Sequence, residues 1–211
     1  DLWVQQWRKR EARGEVYIVR YADDVVMGFQ HEEDARKMHS ALAERLSDFG
    51  LELHPGKTRV LRFGRFARRD SALDGHERPE TFDFLGFTHI CGEGRAGKFR
   101  LIRRTSKKKR DRKLSELSGE IRKRRHHAMV DQHSWLNSVL RGHYNYYGVP
   151  GNIRALGSFR RRVRRSWHAS LQRRSQRAGW SRKRLERIER LFPLPNPRIT
   201  QQHPLERLPF R

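Results

Sequence analysis

The chain has 211 residues, of which 35% are hydrophobic and 34% charged, enough for one large domain or two small ones around a limited core. Its net charge of +24 favours an anionic partner, and its single cysteine, Cys91, excludes a disulfide framework and a cysteine-rich zinc module. A single cysteine is typical of a reducing setting, so we predict a cytoplasmic protein. No apolar run approaches the ~20 residues of a membrane helix and no signal-peptide pattern opens the sequence, so we expect no membrane partner.

The first fifty residues predict a helix, a β-hairpin and a second helix. DLWVQQW is typical of a helix or its end, and no starting signal precedes it, so we expect the C-terminal part of a longer protein. Glu15 to Phe29 is rich in β-branched and aromatic residues on both sides of Ala22-Asp23-Asp24, which predicts a hairpin with these residues at its turn. His31 to Gly50 shows apolar residues at helical spacing, from Ala35 to Phe49, and Gly50 is a plausible C-cap.

Residues 51–104 predict further strands and one long loop. LELH and TRVLRF, on either side of the Pro55-Gly56 turn, are predicted to form a second strand pair. Residues 64–80 are polar and basic and predict a surface loop. Thr81 to Ile90 predicts an aromatic-rich strand, which the glycine-rich CGEGRAG connects to a return strand, KFRLIRR.

The sequence changes character near Arg104, where helical patterns replace strands. Apolar residues recur every three or four positions, and Trp135, Tyr144 and Trp167 are predicted core residues within that pattern. We expect an α+β fold with domains at 1–104 and 105–192 and an irregular, proline-rich tail at 193–211. The predicted helices are Thr105 or Ser106 to about Arg125, Asp131 to Tyr147, Asn152 to Arg177 and, after a break at Gly179-Trp180, Ser181 to Leu191.

The positive charge is concentrated in the helical half of the chain. Residues 1–100 carry 18 Lys and Arg against 17 Asp and Glu, whereas residues 101–211 carry 30 against 7. A segment this basic repels itself unless it faces a polyanion, which indicates nucleic acid. An anionic membrane is the competing interpretation, but it requires a free apolar helix face, and the Trp and Leu residues here are needed for a core.

The adjacent carboxylates Asp23 and Asp24 have two interpretations. Carboxylate oxygens are ligands that Mg²⁺ prefers, and a turn between two buried strands would hold them rigidly. Asp is also a common turn residue, and for a bare Asp-Asp pair an ordinary turn is the more frequent explanation. The neighbouring sequence decides between the two.

Four stretches, in this order and spacing, resemble the group II intron-encoded reverse transcriptases and maturases over roughly residues 10–170. The resemblance implies a partial palm, with β-hairpins and one packed helix, followed by a helical thumb or maturase domain. The stretches are Tyr21-Ala22-Asp23-Asp24, LELHPGKT (51–58), FDFLGF (82–87) and WLNSVLRGHYNYYG (135–148).

This resemblance implies an RNA-directed DNA polymerase that uses two Mg²⁺ ions for nucleotidyl transfer, with an RNA template, a DNA primer, dNTPs and intron RNA as partners. Asp23 and Asp24 would be the catalytic metal ligands, and Lys57 would lie near the departing pyrophosphate. Contacts to the primer or duplex would come from Tyr21, Ala22, Leu85, Gly86 and Phe87.

The basic helical half is expected to contact RNA, since its phosphates complement this charge. The predicted contact residues are Arg103, Arg104, Lys107, Lys108, Lys109, Arg110, Arg112, Lys113, Arg141, Tyr146, Arg160, Arg161 and Arg164.

One departure from the family weakens the enzyme interpretation. The family's centre needs a third aspartate on an earlier strand, and its fingers bind template and nucleotide. We expect that aspartate, the first palm motifs and the fingers to be missing from this sequence. We therefore expect an incomplete fragment, inactive alone, that pairs with the other half of the polymerase or serves as an RNA-binding maturase remnant. A sequence-specific DNA-binding protein is a third possibility, but no recognition helix or dimer interface is evident.

Overall fold

The structure is a computed structural model that describes residues 2–94, 97–174 and 181–202. Within these ranges it has seven helices and two small antiparallel sheets, so the mixed α+β class is confirmed. The chain divides into two compact units, one of residues 2–85 and 91–101 and one of residues 86–90 and those from Ile102 onward. The elements are α1 (Leu2–Arg10), β1 (Val16–Tyr21), β2 (Asp24–Phe29), α2 (Glu32–Ser47), α3 (Ala67–Leu73), β3 (Phe82–Phe84), β4 (Phe87–Glu93), β5 (Phe99–Thr105), α4 (Lys107–Lys123), α5 (Met129–Tyr147), α6 (Ile153–Gln172) and α7 (Arg182–Leu191).

The core of the first unit lies between one face of the β1–β2 hairpin and the helices α1 and α2. Its buried members are Val4, Trp7 and Met38, and the hairpin residues Ile18 and Met27, which are directly paired across the two strands, pack against them. Alternate strand residues point to one face, so one side of the hairpin joins this core. The predicted hairpin and second helix are confirmed.

Asp34 connects α2 to the loop before β1. Its side chain is fully buried, and Oδ2 accepts hydrogen bonds from the backbone N–H groups of Arg13 (3.0 Å) and Gly14 (3.2 Å). A side chain at Gly14 would place its Cβ 2.6 Å from Cδ2 of His31. This acid in the first turn of α2 therefore holds the chain where it enters the hairpin.

The end of α2 corrects one predicted core residue. Gly50 has φ +67, and the N–H of Leu51 bonds to the carbonyl of Leu46 at 2.9 Å, so the predicted glycine cap is confirmed. Phe49 lies beyond the helix and is 64% exposed, with the Arg45 guanidinium 4.7 Å from its ring centre. The prediction that Phe49 belongs to the apolar helix face was wrong because the helix ends first.

The second strand pair is absent from residues 51–63, all of which the structure describes. This stretch contains a turn at residues 55–57 and otherwise irregular backbone, with Leu51 and Val60 exposed. Side chains hold it instead, since the Arg59 guanidinium donates to the carbonyl of Thr81 and Arg62 pairs with Glu32 and Asp74. The apolar alternation predicted strands, but no strand lies alongside to accept the backbone hydrogen bonds.

Two further predictions between residues 64 and 90 need correction. The predicted surface loop contains the short helix α3, whose first residue Ala67 is buried. The predicted strand from Thr81 to Ile90 is in fact two strands, β3 and β4, joined by Leu85 and Gly86. These strands form a three-stranded sheet in the order β3-β4-β5, and the predicted return strand is confirmed as β5.

The core of the second unit is formed by α4, α5 and α6. The predicted positions of Tyr144 and Trp167 in this core are confirmed, and Trp135 packs against it partly buried. The Trp167 indole N–H donates to Oε1 of the buried Gln132 at 3.0 Å, so its polar atom is satisfied. All four predicted helices are present, although α6 ends at Gln172 and the predicted break at Gly179-Trp180 lies outside the described residues.

The segment after α7 has no helix or strand through residue 202 and is bonded to the helices of its own unit. Leu194 is buried, and the carbonyl of Pro195 accepts hydrogen bonds from the Tyr144 hydroxyl (3.1 Å) and the Arg160 guanidinium (3.0 Å). As far as residue 202, the tail therefore has no regular secondary structure but is hydrogen-bonded to α5 and α6. Its predicted end, residues 203–211, lies outside the described residues.

Candidate functional site

The two carboxylates lie at the tip of the β1–β2 hairpin. Tyr21 and Asp24 form the last pair of the antiparallel ladder, which leaves Ala22 and Asp23 as a two-residue loop. Both acids are exposed, and Tyr21 beside them is 66% exposed. The hairpin therefore exposes two adjacent carboxylates at its tip, while its base is packed against a core.

The hairpin loop is held in an unusual backbone conformation. Ala22 has φ +51, in the left-handed region, whereas Asp23 is not among the described residues with positive φ. A positive φ at the first loop residue alone is the pattern of a type II′ turn, where glycine is usual. A non-glycine residue there costs about 1–3 kcal/mol, and such strain is concentrated at functional sites.

The donor atoms of the acid pair can be compared with those of known Mg²⁺ sites. No group of three or more His, Cys, Asp and Glu side chains that could hold a metal ion occurs within residues 2–94, 97–174 and 181–202. Mg²⁺ is commonly bound by one or two carboxylates together with waters and substrate phosphates. Asp23 and Asp24 match the carboxylates of such a site, in which waters and substrate phosphates provide the remaining Mg²⁺ ligands.

Lys57 lies in the exposed turn of residues 55–57. Its backbone N–H donates to the carbonyl of His54 at 3.0 Å, and Nδ1 of His54 accepts from the N–H of Gly56 at 3.2 Å. These bonds fix the turn but leave the ammonium exposed. Among the described residues, no hydrogen bond or ion pair joins Lys57 to Asp23 or Asp24.

The predicted primer-contact motif is a second tight hairpin. Leu85 and Gly86 form its two-residue loop with φ +49 and φ +78, which is the pattern of a type I′ turn. A Cβ at Gly86 would lie 2.8 Å from the Tyr147 hydroxyl. The Phe87 ring stacks on Tyr146, with centroids 5.8 Å apart and an interplanar angle of 18°. The Tyr147 hydroxyl therefore leaves no room for a side chain at residue 86. The predicted primer contact of Gly86 stays a prediction.

Positive charge is concentrated at the start of α4. Lys107, Lys108 and Lys109 fill its exposed first turn, which contains no acidic residue, and Arg103 and Arg104 precede them in β5. Cations are unfavourable at a helix N-terminus because the exposed N–H groups carry partial positive charge. An anion bound here would offset the partial positive charge of the helix N-terminus and reduce the mutual repulsion of the lysines.

The other predicted RNA-contact residues differ in whether they already form hydrogen bonds or ion pairs within the protein. Arg141 and Arg161 are exposed, whereas the Arg160 guanidinium donates to the carbonyls of Leu194 and Pro195, each at 3.0 Å. Four more of the predicted RNA-contact residues lie within 4 Å of carboxylates in their own unit. These pairs are Arg110 with Asp111 (3.1 Å), Arg112 and Lys113 with Glu116 (3.7 and 3.4 Å), and Arg164 with Glu189 (3.6 Å).

His143 is a residue that sequence reasoning missed. Its ring stacks on Phe159 with centroids 3.6 Å apart and planes within 6°, and its Nε2 is buried without a hydrogen-bond partner among the described residues. Burial, assisted by the nearby charge of Lys113, lowers the pKa of His143 to about 4. The imidazole is therefore neutral at pH 7. A single histidine on an apolar helix face gave no signal of this in the sequence.

Within the described part of the chain, no helix is long and apolar enough to cross a bilayer.

Comparison with known proteins connects the first part of the chain to one family. A curated relative, a putative uncharacterized transposon-derived protein of Caenorhabditis elegans, is 46% identical over 44 residues, which are 21% of this chain and 16% of that protein. The chain thus matches only a small part of that relative's length. Residues 2–89, which contain the carboxylate pair, Lys57 and the Leu85-Gly86 loop, match the family of reverse transcriptases, the RNA-dependent DNA polymerases.

Proposed function

We propose that this chain supplies the carboxylate hairpin and the RNA-binding helices of an RNA-directed DNA polymerase of the group II intron type. The observation that supports this proposal most strongly is the position of Asp23 and Asp24. They are exposed at the tip of a strained hairpin, inside the segment that matches the reverse transcriptase family. The sequence similarity of residues 135–148 to the maturase helix supports the group II type.

In this proposal the primer 3′-hydroxyl gives up its proton to solvent, its oxygen attacks the α-phosphorus of a bound nucleotide, and the bond to pyrophosphate breaks. Bound Mg²⁺ would lower the pKa of the attacking hydroxyl and neutralise charge on the phosphates. Asp23 and Asp24 would hold the Mg²⁺ through their carboxylate oxygens, on a hairpin whose base is packed against the core. Lys57, on its own rigid turn, donates a proton or a hydrogen bond to the departing pyrophosphate.

The duplex and the intron RNA are held by the second unit in this proposal. Lys107, Lys108 and Lys109 lie at a helix N-terminus with no acid to offset them, so phosphates are their natural partners. A-form duplexes are bound mainly through phosphates and 2′-hydroxyls, so this surface selects RNA by shape more than by sequence. Binding should weaken steeply with salt.

The test is primer extension by purified 1–211 with a primer–template, dNTPs and MgCl₂. The reaction is run with the chain alone and with a separately made reverse transcriptase segment that carries the earlier palm aspartate. We expect no extension alone and measurable extension with the added segment. Extension by 1–211 alone would overturn the need for a third acid, and no extension in either mixture would argue against polymerase function.

An RNA-binding maturase remnant is the second candidate. It is favoured by the lack of a three-residue metal-binding group among the described residues and by the positive charge of residues 101–211. It predicts tight, salt-sensitive RNA binding together with no extension in either mixture. The two candidates therefore differ in the supplemented extension reaction, while both require RNA binding.

A further inference from the structure

A groove of about 470 Å³ runs along the second unit between α4 and α5. Lys109, Arg112 and Lys113 line it from α4, and Gly142 and Tyr146 line it from α5. This volume is within the range of small-ligand sites in proteins. The groove is thus large enough for one nucleotide.

The α4 wall of the groove is strongly cationic. Four basic residues line it, and the single carboxylate among the lining residues is Glu116, which pairs with Arg112 and Lys113. Lys109 lies in the first turn of α4, where the helix N–H groups add partial positive charge. A phosphate is the chemical group that this wall fits.

The α5 wall is aromatic and partly exposed. Tyr146 is 51% exposed and is oriented by stacking on Phe87, while the Tyr147 ring lies edge-on to it with centroids 4.7 Å apart. Aromatic rings presented beside a cationic wall are the usual platform for unpaired bases. A flat, apolar ring system fits this side.

His143 and Phe159 are also part of the groove lining. Their rings are stacked, with centroids 3.6 Å apart and planes within 6°. Together with Tyr146 and Tyr147 they give this side of the groove a continuous aromatic character, which a flat base can pack against.

Gly142 keeps the middle of the groove open. A Cβ added there would meet nothing within 4 Å, so the space beside it is not needed for packing of the helices. Glycine in a helix interior costs about 1 kcal/mol relative to alanine. An exposed glycine in α5 at the groove is consistent with a requirement for this space.

We propose that this groove binds one unpaired RNA nucleotide, with its base against Tyr146 and above His143 and its phosphate on Lys109, Arg112 and Lys113. The proposal rests on the RNA-binding function proposed for the second unit and adds a preference within it. Perfect duplex, held by phosphates alone, would not fill the groove. A bulged or looped-out nucleotide would.

The test compares two RNA hairpins that differ only by one bulged adenosine, with 2-aminopurine at the bulge in a second set. We expect chain 1–211 to bind the bulged hairpin at least about fivefold more tightly, given the usual strength of base–aromatic stacking. We also expect stacking in the groove to quench the 2-aminopurine fluorescence. Gly142→Phe should abolish the preference and the quenching and leave affinity for the paired hairpin unchanged.

Gly119→Phe is the matched control, since Gly119 lies on α4, does not line the groove and would also place an added Cβ in open space, with nothing within 4 Å. It should keep the preference. Tyr146→Leu, which removes the ring at the surface, is the second variant and should lose the preference. Thermal unfolding by circular dichroism shows that each variant is folded.

The outcomes separate the two proposals. If the wild-type chain binds neither hairpin, the RNA-binding function itself is wrong. If it binds both hairpins equally, or if Gly142→Phe and Tyr146→Leu keep the preference, RNA binding stands and the nucleotide site is wrong. Loss of the preference in Gly119→Phe as well would also overturn the assignment to this groove.

Discussion

Ala22 and Leu85 occupy matching positions in two different hairpins. Each is the first residue of a two-residue loop, and they are the two non-glycine residues with positive φ in the described ranges, at +51° and +49°. Both loops lie in the segment that matches the reverse transcriptase family. The non-glycine backbone strain of that segment is therefore located at the predicted turn before Asp24 and at a second turn, which interrupts the strand predicted over residues 81–90.

The first prediction concerns Ala22. Because a β-branched side chain is especially unfavourable at positive φ, Ala22→Val should destabilise the fold by about 1–2 kcal/mol. Urea unfolding of the chain measures this change. Ala43→Val, at an exposed position of α2, is the control and should cost less than about 0.7 kcal/mol. Equal losses in both variants would show that the loop is not strained.

The second prediction separates strain from steric overlap at Gly86. Gly86→Ala combines φ +78 with a Cβ placed 2.8 Å from the Tyr147 hydroxyl. Gly151→Ala has φ +89 and nothing within 4 Å, so it reports the strain alone. We expect the first variant to be less stable than the second by about 1 kcal/mol or more.

Tyr147→Phe removes the overlapping oxygen and completes this comparison. In its background, the loss of stability from Gly86→Ala should fall to about that of Gly151→Ala. An unchanged loss in the double variant would mean that the hydroxyl does not require glycine at residue 86. Thermal or urea unfolding gives all four values.

The third prediction is a pH dependence from His143. Its pKa falls from 6.5 in the unfolded chain to about 4 in the folded one, chiefly because of burial. Between these values the unfolded chain holds the extra proton, so the stability contributed by neutral His143 is complete above pH 6.5 and is lost as the pH falls toward 4. The loss is at most about 3 kcal/mol by the usual conversion.

His143→Gln cannot protonate and should remove this part of the pH dependence. The measurement is urea unfolding of both chains at pH 7.5, 5.5 and 4.5. His168, whose pKa is also lowered by burial, acts in the same direction and is present in both chains, so the difference isolates His143. Parallel curves for the two chains would contradict the assignment.

The fourth prediction tests the lysines at the start of α4. If Lys107, Lys108 and Lys109 each contact a phosphate, replacing all three with Gln should lower the slope of log affinity against log salt by about 2–3. Exposed lysines of the first unit provide the control, in the triple variant Lys9→Gln, Lys37→Gln and Lys98→Gln, which has the same change in net charge. Equal slopes for the two variants would indicate a general effect of charge.

Much of the fold could be predicted because its periodic patterns are strong and local. The β1–β2 hairpin, α2 and the helices α4 to α7 follow from alternation, helical spacing and capping residues. The strand pair at 51–63 could not be excluded, because strand formation depends on a partner strand and not on alternation alone. The turn at Leu85-Gly86 was hidden because an apolar residue in the left-handed conformation has no sequence signature.

The candidate site likewise has parts that a local sequence pattern predicts and parts that depend on residues distant in sequence. The acids at the hairpin tip are adjacent in sequence, so a motif could identify them. The groove between α4 and α5 depends on the packing of two helices and on a single histidine, neither of which a linear pattern encodes. The buried hydrogen bonds of Asp34 with residues about twenty positions earlier could not be predicted either, because they also depend on tertiary packing.

The last prediction separates catalysis from RNA binding. Asp23→Ala should abolish extension in the supplemented reaction, because it removes a metal ligand, and should leave RNA affinity within about twofold, because the proposed phosphate contacts lie on other elements. Asp48→Ala removes another exposed acid, at the C-cap of α2, and should preserve both activities. If Asp23→Ala weakened RNA binding as steeply as extension, the hairpin would itself be part of the RNA-binding surface, and the assignment of that role to the helices would be wrong.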